Sequence, residues 1–162
     1  MTRAARSGIT LAVLCVILFV GLAWGWKALT SPFPPSAAET SSCSEVEIAK
    51  GDKISRSDVT VSVLNASGES GLAGQVMEQL VALGFAEGEI ANVDAEVVHA
   101  QIWTDSPATP LVQRNLVEVY LEPTPNEYPG IVLVLGTQFD GISKGPKSVT
   151  AKSAGTICSP TV

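Results

Sequence analysis

The sequence predicts a small α/β sandwich of β-α-β-β-α-β order, ferredoxin-like or swapped-hairpin in type, behind one N-terminal transmembrane helix. Three observations predict it. An uncharged apolar run opens the chain. A period-two segment passes through a glycine-rich turn into a period-four segment. Near the end, a short continuous apolar run has the pattern of a strand covered on both faces. At 162 residues the chain suits one modest domain plus extras.

Ile9 to Trp26 is 18 residues without a charge. As a helix it spans about 27 Å, close to the hydrocarbon thickness of a bilayer. Arg3 and Arg6 precede it, and Trp24 and Trp26 stand at its far end, where indole rings favour the interface. The run is longer than a signal-peptide core, and bulky tryptophans occupy the place where small residues would be cleaved. The expected organisation is a cytoplasmic N-terminus (1–8), a retained anchor (9–26), a Pro/Ser-rich linker (27–44) and an extracytoplasmic domain (45–162). The alternative is a cleaved signal, with Ala28 and Ala37-Ala38 as poor cut sites. Cys15 lies inside the apolar run without the small residue that lipoprotein processing needs before it, and reads as a small buried hydrophobe.

Charge divides the same way. Residues 1–27 hold three basic groups and no acidic one; residues 28–162 hold seven basic and sixteen acidic groups, a net of −9. The positive-inside rule keeps the short N-terminus in the cytoplasm. An acidic body argues against nucleic acid, which is bound by neutralising phosphates. Beyond the anchor there are two cysteines, Cys43 and Cys158. An even pair in an exported region reads as a disulfide, here a clasp on two chain ends. Neither C-x-x-C spacing nor a clustered histidine supports a redox or metal-binding alternative.

Within the domain, Val46 and Ile48 alternate with Glu45 and Glu47, a short strand. Val59, Val61 and Val63 alternate with Thr60, Ser62 and Leu64, a second strand. Asn65, Ala66, Ser67, Gly68, Glu69, Ser70 and Gly71 form the turn. Leu72, Val76, Leu80 and Leu83 then share one helical face, widened by Ala73, Met77 and Val81, and Gly84 stops the helix. A brief strand is expected at 89–93 and another at 100–105. A helix of about 14 residues follows, capped by Asp105 or Ser106 and carrying Leu111, Val112, Leu116, Val119 and Tyr120. Ile131 to Leu135 is the apolar strand, and 141–162 reads as irregular until Cys158.

The segment VSVLNASGESGLAGQVMEQLVALGF and the later IVLVLGTQFD resemble the opening and the closing strand of the LytR C-terminal-domain family, with Gln138 where the family often has Asp. Relatives often carry this module behind a catalytic domain for which this chain has no room. One membrane segment followed by the module alone is similar to single-pass actinobacterial envelope integrity proteins. The resemblance implies a membrane-bound, extracytoplasmic domain with a part in envelope integrity.

No catalytic, metal or cofactor constellation is legible. His99 has no spaced partner ligand; Ser70 sits in G-E-S-G, not a nucleophile elbow. Asp94, Glu96 and Asp105 lack any spacing that would require them to meet. The turn 65–71 is the candidate partner-binding stretch. Its helix start favours anions; the plainer alternative is a cap from Ser67 or Ser70. Trp103 is either a core residue or a platform for glycan stacking. The expected function is a non-enzymatic, membrane-anchored envelope protein whose domain contacts a protein partner; the alternative is a cell-wall glycopolymer-binding module.

Overall fold

A computed structural model of the chain describes residues 43–161, together with Cys15, Leu18 and Phe19. Those three are helical and exposed. The rest of the expected anchor, and the linker up to residue 42, lie outside the described residues. Among the described residues no helix is long and apolar enough to cross a membrane. Residues Thr40–Val162 form one compact unit.

The element order is β1 (Cys43–Ile48), β2 (Lys53–Ser55), a 3-10 turn (Arg56–Asp58), β3 (Thr60–Asn65), α1 (Leu72–Leu83), β4 (Ala86–Asn92), β5 (Ala100–Ile102), α2 (Thr109–Gln113), β6 (Val119–Leu121), β7 (Ile131–Leu135), β8 (Ser148–Thr150) and β9 (Gly155–Pro160). β1 starts at Cys43, so the last two residues assigned to the linker belong to a strand.

A five-stranded sheet runs β4-β3-β7-β5-β6. β3 is parallel to both β4 and β7, β5 is antiparallel to β7, and β6 is parallel to β5. The domain is mixed α/β with two helices, as expected, but its topology differs in detail. A ferredoxin-like sandwich splits each β-α-β unit with an inserted strand. Here β3 and β4 are direct neighbours across the α1 crossover. β4 and β5 form no hairpin, because β3 and β7 stand between them. The pairing of β3 with β4 slips between Val61 and Val63. Gly88 makes this close approach possible, since a Cβ there would stand 2.6 Å from Ser62 Oγ and 2.7 Å from Val61 O.

β3 and β7 are buried at every residue. Alternation along the pleat sends Val61, Val63, Ile131, Leu133 and Leu135 into the main core, with Val76, Met77 and Leu80 of α1 and Leu111 and Val112 of α2. Leu64, Val132 and Val134 face the other way, into a smaller cluster with Val97. Burial of a residue such as Leu80, fully inaccessible, contributes about 1.5–3 kcal/mol. Val81, expected on the buried face of α1, is 42% exposed. Gly84 ends α1 at φ 100°, with its N–H on the Leu80 and Val81 carbonyls.

Two expectations fail on long-range contacts. The second helix stops after Gln113. Asn115 is fully buried, and its Nδ2 donates to Leu111 O (2.7 Å), while its backbone N–H turns to Val112 O (2.9 Å). Side-chain capture of an i−4 carbonyl competes with helix propagation. Leu116 then bridges to Ile142, and Val119 and Tyr120 enter β6 instead of a helix. The tail is also ordered: β8 pairs with β2 and β9 with β1. A disulfide joins Cys43 to Cys158 beside the β1–β9 ladder, 115 residues apart in sequence with Cα atoms 5.2 Å apart.

Candidate functional site

The turn 65–71 leaves the C-terminal end of β3, the central parallel strand, and leads into α1. Crevices at the carboxyl ends of parallel strands are where α/β sheets bind ligands. Asn65 builds this one. It is 5% exposed. Its Oδ1 accepts the Ser67 N–H (3.0 Å) and the Ser67 hydroxyl (2.6 Å). Its Nδ2 donates to Glu69 O (2.7 Å) and Asn92 Oδ1 (3.2 Å). Ser67 Oγ in turn accepts the Glu69 N–H at 3.1 Å. The flanks are pinned by backbone: Ala66 N–H to Leu135 O (2.9 Å) and Val93 N–H to Asn65 O (3.0 Å).

The cap expected from Ser67 or Ser70 does not form. Gly71 occupies the N-cap at φ 82°, with no side-chain hydrogen bond to the first turn. Ser67 is instead consumed inside the loop, which Gly68 (φ 78°) allows to close. Residues 65, 66 and 68–71, together with Asn92, Val93 and Asp94, line a cleft of about 610 Å³. Glu69 and Asp94 are its charged members and both are exposed. A cleft bordered by two carboxylates attracts donors and cations and repels anions, which weighs against an anion at this helix start.

Trp103 is half-buried against the smaller cluster, and its indole N–H donates to Gln101 Oε1 at 3.0 Å. It stands apart from the turn, which it does not line.

His99 is not isolated, contrary to the expectation from spacing. Its Nδ1 lies 3.4 Å from Asp140 Oδ2 and its Nε2 lies 3.9 Å from Glu118 Oε1. The sheet explains this. His99 and Glu118 directly precede the paired strands β5 and β6, and Val117 N–H donates to Gly141 O (3.2 Å), drawing in the loop after β7. Donor atoms of the three side chains lie within 4.8 Å of one another. The two ring nitrogens face different carboxylates, so the imidazole bridges them rather than converging with both on one point. Tyr120 completes the group: its hydroxyl donates to Glu118 Oε1 (2.6 Å). That bond and the carboxylate charge raise the phenol above its ordinary value of 10.0. Asp94, Glu96 and Asp105 do not join this group.

The family profile described as LytR cell envelope-related transcriptional attenuator, C-terminal part, matches residues 58–139. That stretch runs from the last residue of the 3-10 turn to the loop after β7. No curated protein matches the chain. Among solved structures, the soluble domain of a conserved hypothetical secreted protein from Mycobacterium marinum is similar at 27% identity and a TM-score of 0.45, over 68% of this chain and 74% of that one.

Proposed function

The chain belongs to the LytR C-terminal-domain family, and from that premise we propose a non-enzymatic envelope protein, anchored by residues 9–26, whose extracytoplasmic domain supports envelope integrity by docking a protein partner. The partner binds at the turn 65–71. One observation carries this reading: a buried asparagine spends three hydrogen bonds on holding an exposed loop in one shape and a fourth on tying it to Asn92 of β4. A loop ordered in advance loses less conformational entropy on binding. The polar groups of Asn65 and Ser67 are committed to the loop itself, which favours recognition over catalysis. Glu69 and Asp94 give the partner's chemistry: it presents lysine, arginine or N–H donors. The family's cell envelope-related description and the Cys43–Cys158 disulfide both support an oxidising, extracytoplasmic setting.

In-cell photocrosslinking from a photoreactive residue at Ala66 or Glu69 tests the reading. The expected product is one exported or membrane protein, absent from a control at exposed Glu87 on β4. Attached wall glycan would transfer the role to glycopolymer binding. Turnover of a wall precursor by the purified chain, lost on a single substitution, would overturn the non-enzymatic reading.

A further inference from the structure

The acidic domain hides a basic side. The seven lysines and arginines among residues 43–161 fall in three short stretches: 50–56, 114 and 144–152. The fold brings these together. Gly51 N–H donates to Ala151 O (2.9 Å) and Arg56 N–H to Lys147 O (3.1 Å), across the β2–β8 ribbon. Asn115 Oδ1 accepts the Gly145 N–H (3.1 Å) and Ser143 Oγ donates to Arg114 O (3.3 Å), which brings Arg114 alongside. Among the described residues, no lysine or arginine makes an ion pair, although fifteen carboxylate residues share the same domain. Asp52, the one carboxylate residue within these stretches, accepts the Ala49 N–H, and Asp58, two residues beyond the first stretch, accepts the Ser55 N–H.

Three of the cations converge. Lys50, Arg114 and Lys152 line a cleft of about 670 Å³, walled by Pro110, Val149 and Ala151, and no carboxylate residue lines it. All three are exposed. Like charges held together without counter-charges repel one another, and an anionic ligand relieves that repulsion. Three cations exceed what a single carboxylate needs. A guanidinium fork in one cleft with two ammonium groups suits the several oxygens and the double charge of a phosphate, and the apolar wall suits whatever carries it. We propose that this cleft binds a phosphate-bearing ligand. The site is distinct from the turn 65–71 and stands or falls independently of it.

The test is a titration of the 15N-labelled full chain, in non-ionic detergent, with inorganic pyrophosphate. Saturable shifts are expected at the amides of Lys50, Gly51, Ala151 and Lys152, weakening as salt is added. The triple variant Lys50→Ala, Arg114→Ala, Lys152→Ala should lose at least about tenfold in affinity, the scale of lost charge-assisted hydrogen bonds. Lys53→Ala, a cation outside the cleft, should stay within about twofold. No saturation, or an equal loss in Lys53→Ala, overturns the proposal. Competition separates the sources. Displacement of pyrophosphate by dihexanoyl phosphatidylglycerol assigns a lipid phosphodiester, and displacement by glucose 1-phosphate assigns a sugar phosphate. Displacement by neither leaves an adventitious ion only and overturns the site.

Discussion

The acidic cleft and the basic cleft each stand beside a buried asparagine, and the two asparagines work over different distances. Asn65 holds the acidic turn through partners two, four and twenty-seven residues away. Asn115 holds the floor beside the basic cleft by reaching Gly145 and Arg56, thirty and fifty-nine residues away. The Asn65 network is neutral. The Asn115 network carries a cation: Arg56 is 7% exposed, donates to Asn115 Oδ1 (2.5 Å), Gly145 O (2.8 Å) and Leu83 O (2.9 Å), and lies over the Phe85 ring at 5.8 Å. No carboxylate pairs with it; the C-terminal carbonyl of α1 and amide oxygens carry the compensation, as a helix dipole favours. The difference teaches that one side chain type shapes a surface loop in one place and tethers separate chain segments in another. The cost of losing it should follow that distinction.

The largest expected effect removes what both regions share. Cys158→Ser opens a closure of 115 residues, and the chain-entropy account gives a loss of about 4 kcal/mol. Denaturant unfolding with and without reductant measures it; unchanged midpoints would show that the β1–β9 ladder holds the ends unaided. Next comes Asn115→Ala, which takes one of three acceptors from a buried guanidinium and should cost about 3 kcal/mol. Asn65→Ala should cost less, about 1–2 kcal/mol, because Ser67 and Glu69 can turn to water. Equal losses in the two variants would break the comparison.

The smallest effect concerns the exposed Tyr120. Replacing Glu118 by Gln removes the carboxylate that raises the phenol, so its ultraviolet titration midpoint should fall toward 10.0. The sign is fixed: a phenol raised in the folded state favours folding at lower pH, and that contribution fades as pH climbs through its folded titration. A midpoint unmoved by the substitution would contradict the Tyr120–Glu118 bond.

Legibility followed the same division between near and far. The strand, turn and first helix from 59 to 84 could be read because their signals are local: alternation, clustered glycines, four-residue spacing. Asn65 stood in the sequence as part of a turn motif. Asn115 gave no signal, since its partners Arg56 and Gly145 are set by tertiary structure, and the helix it interrupts was read past its true end. β8 and β9 were missed for a related reason. Ser148–Thr150 is too short to show a period, and Gly155–Pro160 carries turn-like residues, so only pairing with β2 and β1 makes them strands. His99 looks solitary in the sequence because Glu118 arrives from just before β6 and Asp140 from the loop after β7. The basic cleft was hidden in an acidic total, which says nothing about where seven cations sit.

The central claim is that Asn65 preforms a docking surface for a protein partner. It is tested most directly by crosslinking from position 69 in cells, with Asn65 intact and with Asn65→Ser, at matched protein levels. The account predicts a protein adduct in the first case and its loss in the second. An adduct of equal yield in both would mean that the buried asparagine serves only the fold, and that the turn is not the surface the partner reads.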